Sequence, residues 1–198
     1  MISVGITGGI GSGKTTVCHF FELLGIPVYY ADLRAKSLMV EDQDLIAAIK
    51  KTFGEASYSE KGQLNREYLA KVVFNNDVEL QKLNALVHPA VFKDTANWMQ
   101  KNADQSYVLY EAAIMFESGS YKMLNKVITV YSPESMRLER VMGRDNVTEQ
   151  EVRSRMAKQM SEEEKIKLAD FVIYNDLKQP LISQILKIHK ELISLSHS

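Results

Sequence analysis

Cysteine is nearly absent: Cys18 is the one thiol in 198 residues. An internal disulfide is excluded, and a reducing compartment suits the chain. Neither sign of charge prevails, with 24 Lys and Arg against 25 Asp and Glu. The bulk electrostatics therefore give no reason to expect nucleic-acid binding, which ordinarily needs a basic surplus. No apolar run approaches the ~20 residues of a membrane span. No basic stretch leading into an apolar one precedes the first strand pattern, so no secretory signal is expected. Internal repeats and low-complexity tracts are missing too. What is there is 45% apolar, enough for one sizeable core with small appended units. The expectation is a cytoplasmic protein with neither nucleic-acid nor membrane partner, a monomer or weak homo-oligomer.

Five short apolar runs read as buried parallel strands: residues 2–6, 27–30, 107–110, 127–131 and 171–174. Helical patterns lie between them, which indicates an α/β fold with a parallel sheet flanked by helices. Roughly seventy-five residues separate the second and third strands, where a parallel crossover needs about a dozen or more. Apolar residues in that stretch fall at helical spacing: Leu45, Ile46, Ile49 and Phe53; Leu69, Val72 and Val73; Leu80, Leu83 and Val87; Val91, Thr95 and Trp98. The stretch reads as a helical insertion able to hold a substrate larger than a simple metabolite. Ser132 followed by Pro133 predicts a helix start, serine as N-cap and proline at the first helical position. Thr148 with Glu151 forms a capping-box pattern, and Ser161 with Glu164 another. Residues 137–160 carry five arginines and read as two short helices around a turn.

The chemistry is concentrated in Gly8-Gly9-Ile10-Gly11-Ser12-Gly13-Lys14-Thr15, which matches G-x-x-x-x-G-K-[ST]. Such a turn aims successive backbone N–H groups at phosphate oxygens, and the helix beginning near Lys14 adds its positive dipole end. Gly9, Gly11, Ser12, Gly13, Lys14, Thr15 and Thr16 are the candidate nucleotide contacts. Lys14 is placed to reach the β- and γ-phosphates, and Thr15 to ligate Mg²⁺ through its hydroxyl. A strand before the motif and a helix after it are both present, as the reading requires.

The guanine-reading Asn-Lys-x-Asp and the switch Asp-x-x-Gly are both missing, which argues against a GTPase. The third strand ends at Glu111, where motor-type ATPases usually have Asp. The helical insertion and an Arg-rich segment favour a kinase for a small acceptor. Arginines closed over the phosphates neutralise charge and exclude water, so the phosphoryl group goes to the acceptor. A hydroxyl acceptor benefits from a carboxylate to orient and deprotonate it. Asp32, just past the second strand, is the candidate. N-capping of the following helix is the structural alternative, and the two roles are compatible.

With these residues assembled, the chain resembles the dephospho-coenzyme A kinase family over nearly its whole length. The resemblance is carried by residues 6–16, Leu24-Gly25-Ile26-Pro27-Val28, Ala31-Asp32, Gly62-Gln63-Leu64-Asn65-Arg66, Leu83-Asn84, His88-Pro89, Met115-Phe116-Glu117, Arg140, Arg144-Asp145, Ala169-Asp170 and Asn175. It implies a P-loop NTPase-type five-stranded parallel sheet as nucleotide-binding core (residues 1–32, 106–136 and 165–198). It further implies a helical coenzyme A-binding insertion (33–105) and a small helical lid (137–164). It implies ATP and Mg²⁺, with dephospho-CoA as the substrate phosphorylated on its ribose 3′-hydroxyl. Asp32 takes the general-base position, Arg140 a phosphate-stabilising one with Arg144 beside it, and Asn175 a nucleotide contact. Where the family usually shows Asp-Ala-Asp, this chain has Tyr30-Ala31-Asp32. Its Pro-Leu-Leu-Phe-Glu appears as Ala113-Ile114-Met115-Phe116-Glu117.

Several residues keep two readings. Arg66 is a substrate-phosphate ligand or a solvated helix-face arginine. His88 touches substrate or anchors a helix start beside Pro89. Glu111 and Glu117 support Mg²⁺ through water or accept hydrogen bonds at the core edge. Arg137, Arg153 and Arg155 contact phosphate or form a solvated face with the interspersed glutamates. Cys18 reads as a small buried apolar residue. Another small-acceptor P-loop kinase, for a nucleoside or nucleotide, and a non-catalytic ATP-binding regulator are the competing functions.

Overall fold

The computed structural model describes residues 1–74 and 76–196. They form two compact units, one built from Met1–Tyr30 and Lys101–Ser198, the other from Ala31–Gln100.

The first unit is a five-stranded sheet, β1 (Ile2–Thr7), β2 (Val28–Tyr30), β3 (Tyr107–Glu111), β4 (Lys126–Tyr131) and β5 (Phe171–Tyr174). The spatial order is β2-β3-β1-β4-β5, every pair parallel. Every residue of β3 is buried, and so is β1 after its first residue. Strands covered on both faces read as unbroken apolar runs, which is why these were visible in the sequence. Helix α1 (Lys14–Leu23) sends Val17, Cys18 and Phe21 into the core, and α9 (Leu181–Ser196) sends Ile185, Ile188 and Leu192. Gln184 of α9 satisfies both backbone groups of Tyr174, accepting from its N–H at 2.8 Å and donating to its carbonyl at 3.0 Å. This closes the end of the edge strand β5. The remaining helices here are α6 (Glu134–Asp145), α7 (Glu149–Met156) and α8 (Glu162–Leu168). Both capping boxes form, Thr148 with Glu151 and Ser161 with Glu164.

One helix start differs from its sequence signature. Pro133, not Ser132, occupies the N-cap of α6, and no side chain caps it. Ser132 is fully buried, and its hydroxyl instead accepts from the Arg140 guanidinium at 2.9 Å. A charged donor in a buried setting outcompetes a backbone amide for that oxygen.

The second unit contains α2 (Ala31–Glu41), α3 (Gln43–Phe53), a 3₁₀ turn (Glu55–Ser57), α4 (Arg66–Val73) and α5 (Asp77–Lys101). Asp42 and Asn65 cap α3 and α4 by accepting from the N–H groups of Leu45 and Tyr68. Leu38, Leu45, Ile49, Phe53, Tyr58, Leu69 and Val87 form its core. Arg34 locks α2 to α5 through two parallel bonds to Asp94, each 3.0 Å. Pro89 lies inside α5 rather than beside a helix start. The anchoring role at a helix start is therefore not available to His88.

Candidate active site

In an open parallel sheet, ligands bind at the carboxyl ends of strands where the strand order reverses. Here β1 is that strand, with β3 on one side and β4 on the other. The glycine-rich loop leaves its end and enters α1. Gly13 is the N-cap of α1, with φ 93° and no side chain to offer. The first amides of α1 are thus left for an anion. That backbone angle suits glycine alone, and a Cβ at Gly13 would collide with Nδ2 of Asn175.

The loop lines a cavity of about 540 Å³ with Gly9, Gly11, Ser12, Gly13, Lys14, Thr15 and Thr16 on its wall, joined by Arg140, Arg144 and Gln159. The structure therefore brings together the predicted loop residues and both predicted arginines. Asn175 braces the wall from behind, its Nδ2 donating to the Ser12 carbonyl at 2.8 Å. Arg140 donates to the carbonyls of Gly11 (3.3 Å) and Asn175 (3.4 Å) as well as to Ser132. One guanidinium thus ties the first loop, the end of β4 and the end of β5 together, with its charge at the cavity. Arg144 is held by Asp145 through two bonds of 2.7 and 3.1 Å. Those bonds, with a weaker contribution from Arg155, hold the Asp145 carboxyl below the usual carboxylate range.

Lys14 Nζ lies 3.1 Å from Glu111, both side chains largely shielded from solvent. Glu111 is thus the resting counter-ion of the loop lysine. Cys18 is fully buried; that burial, reinforced by Glu111, pushes its thiol far up, so it is inert. Glu117 takes the hydrogen-bonding role, accepting from the Met160 N–H at 2.7 Å. Arg137 departs from the solvated-face reading: it is buried and paired with Glu162 at 3.7 Å. Arg153 and Arg155 conform to it, pairing with Glu134 and Glu149 and with Asp145.

The other three predicted residues belong to the helical unit. Asp32 lies in the first turn of α2, which starts at Ala31, so it is inside the helix rather than its cap. Arg66 opens α4, and His88 is mid-way along α5. All three are exposed. Two contributors carried no signal in the sequence, Gln159 and the buried Lys165; neither sits in a motif, and only their packing reveals them.

Residues 2–180 match the family described as dephospho-CoA kinase. The chain belongs to the dephospho-CoA kinase family. A dephospho-CoA kinase of Salinibacter ruber is 46% identical over 178 residues, covering 89% of each chain. Among solved structures, a protein from Thermus thermophilus superposes with a TM-score of 0.82 at 33% identity over 96% of each chain. A dephospho-CoA kinase from Campylobacter jejuni gives 0.72 at 27% identity over 97% of each chain. A shikimate kinase from Acinetobacter baumannii, 18% identical with a TM-score of 0.53, shares the P-loop kinase fold. Among the described residues, no helix is long and apolar enough to cross a membrane.

Proposed function

We propose that the protein transfers the γ-phosphoryl group of ATP to the ribose 3′-hydroxyl of 3′-dephospho-CoA, giving coenzyme A and ADP. The observation that carries this reading is the convergence of the loop backbone, Lys14, Arg140 and Arg144 on one cavity at the end of β1, in a chain of this family. The loop amides and Lys14 hold the β- and γ-phosphates; on nucleotide binding Lys14 exchanges Glu111 for phosphate oxygen. The substrate 3′-oxygen attacks the γ-phosphorus, its proton passes to the Asp32 carboxylate, the bond to the bridging oxygen breaks, and ADP leaves. Arg140 and Arg144 offset the charge that spreads over the transferring group. Arg66 and His88 serve the acceptor in the helical unit, and segment 137–164 acts as the lid that excludes water.

Mg²⁺ fits this site. A hydroxyl oxygen on the wall of the phosphate cavity suits a hard ion that keeps several waters and otherwise takes phosphate oxygens. Thr15, exposed in the first turn of α1 on the cavity wall, is the residue that would hold it. When bound, the ion supplies charge neutralisation on the phosphates.

The test is product identification after incubation with MgATP and dephospho-CoA. ADP and a product one phosphoryl group heavier, modified at the 3′ position by NMR, are expected. ADP release with a nucleoside but not with dephospho-CoA overturns the acceptor. ATP binding with no ADP from any acceptor leaves the non-catalytic regulator.

A further inference from the structure

Ile10 is the third residue of the phosphate loop, and its backbone N–H is bonded by a side chain from outside the loop. It donates to Oε1 of Gln159 at 2.9 Å. Gln159 comes from the turn after α7, 149 residues away, and is among the residues lining the phosphate cavity and the neighbouring one. Ile10 N–H can only donate, so the carbonyl end of the amide must face it. The other end, Nε2, has two hydrogens to give, and among the described residues it donates to no protein group.

The turn that presents Gln159 is fixed. Gln159 N–H bonds the Met156 carbonyl at 3.0 Å, and the next amide, Met160 N–H, is held by Glu117 at 2.7 Å. Behind it runs a buried chain of charges. Lys165, fully buried, lies 3.8 Å from Glu117 and 3.5 Å from Glu162, and Glu162 lies 3.7 Å from Arg137. Arg137 and Glu162 press against the loop itself, since a Cβ at Gly9 would collide with both of their charged ends. Lys165 Nζ and Arg137 Nε have no hydrogen-bond partner among the described residues, so these charges face one another at ion-pair distance only. Glu117 is the member of the chain that touches the turn, through the Met160 N–H next to Gln159.

We propose that Gln159 is a two-ended positioning and phosphate-contact residue: its carbonyl fixes the curvature of the loop at Ile10, and its amide hydrogens are given to a phosphate oxygen of the bound triphosphate. The inference rests on the reading of this cavity as the ATP site. A neutral primary amide is the group that meets both demands. A carboxylate could hold Ile10 N–H but would face the phosphates with negative charge and nothing to donate. An apolar side chain could do neither.

The experiment uses Gln159→Leu and Gln159→Glu in the full chain. The dissociation constants of MgATP and of magnesium tripolyphosphate are measured by calorimetry, and kcat and KM for each substrate with dephospho-CoA as acceptor. Gln159→Leu is expected to weaken ATP and tripolyphosphate by the same factor, about tenfold for one lost charge-assisted bond, with KM for the acceptor unchanged. Gln159→Glu is expected to be weak at pH 8 and to regain affinity as the pH falls and the new carboxyl becomes protonated. The discriminating readout is Gln159→Leu, which adds no charge: a residue that merely packs would leave tripolyphosphate affinity unchanged. Wild-type affinity in Gln159→Leu overturns the inference. So does loss of ATP affinity with tripolyphosphate unchanged. Gln159→Glu equal to wild type at every pH removes the donating half and with it the proposal. Failure of the functional reading looks different: the wild-type protein itself would bind no tripolyphosphate, or would turn over no dephospho-CoA.

Discussion

Lys14→Ala separates what the loop lysine does for the fold from what it does for the reaction. The Lys14–Glu111 pair at 3.1 Å has a gross attraction of about 5 kcal/mol at an effective dielectric constant of about 20. Most of that is offset by the cost of taking two charges out of water, so the pair itself is worth little. Deleting one partner is different, because the other charge is left shielded and unpaired. That costs about 3–5 kcal/mol, and the lower end applies because Lys14 lines an open cavity. For a chain of this size, ~3 kcal/mol lowers the melting midpoint by about 6–12 °C. Adding Glu111→Gln replaces the stranded carboxylate with a neutral amide, and at least half of the lost midpoint is expected to return. Turnover is not expected to return: both variants lose on the order of 10³-fold, since both lack the lysine proposed to hold the β- and γ-phosphates. The assay is differential scanning fluorimetry beside coupled ADP release, on wild type, single and double variants. Equal melting of Lys14→Ala and the double variant would refute the reasoning, because the carboxylate would then have needed no partner.

Three further outcomes are expected. Asp32→Asn retains calorimetric ATP affinity but lowers turnover by ~10²-fold or more; near-normal turnover removes Asp32 as the base. Gly13→Ala puts a Cβ against Asn175 at a left-handed φ of 93°, so ATP binding is lost with a lowered melting midpoint; a variant that binds ATP normally contradicts the described loop. Burial holds His189, which is bonded to the Tyr107 hydroxyl at 2.7 Å, below its ordinary 6.5. The unfolded chain then takes up the proton more readily, so stability is complete above pH ~6.5 and declines as the pH falls through it toward the folded-state value. His189→Phe is expected to flatten that part of the melting-against-pH curve, and an unchanged slope excludes His189 as its source.

The parallel strands and the phosphate loop were legible in the sequence because each depends on a local pattern. Buried strands are short apolar runs, and the loop is defined by residue types at fixed spacing. The helical insertion was legible through its 3.6-residue periodicity, but not its division into elements. His88-Pro89 resembled a break, yet α5 runs through it, because neighbours on both sides pack Leu83, Leu86, Ala90 and Val91 against one core. Tertiary burial outweighs the one donor that proline withholds. Ser132 had the composition of a helix cap and became a ligand of Arg140 for a similar reason. Arg137 looked like one more surface arginine among glutamates, and only the fold shows that its partner is Glu162 beneath Gly9. Gln159 was invisible because its value lies in a single contact with a residue 149 positions away.

That separation has a consequence for biosynthesis. The loop is finished within the first fifteen residues, but the side chains that brace it, from Arg140, Gln159 and Asn175, are 129, 149 and 163 positions downstream of their contacts. At roughly 5–20 residues per second, the ribosome needs on the order of ten to thirty seconds to deliver them. Throughout that interval the nascent chain holds a glycine turn whose bracing side chains have not yet been made, and the turn acquires its walls only after Asn175 has been added.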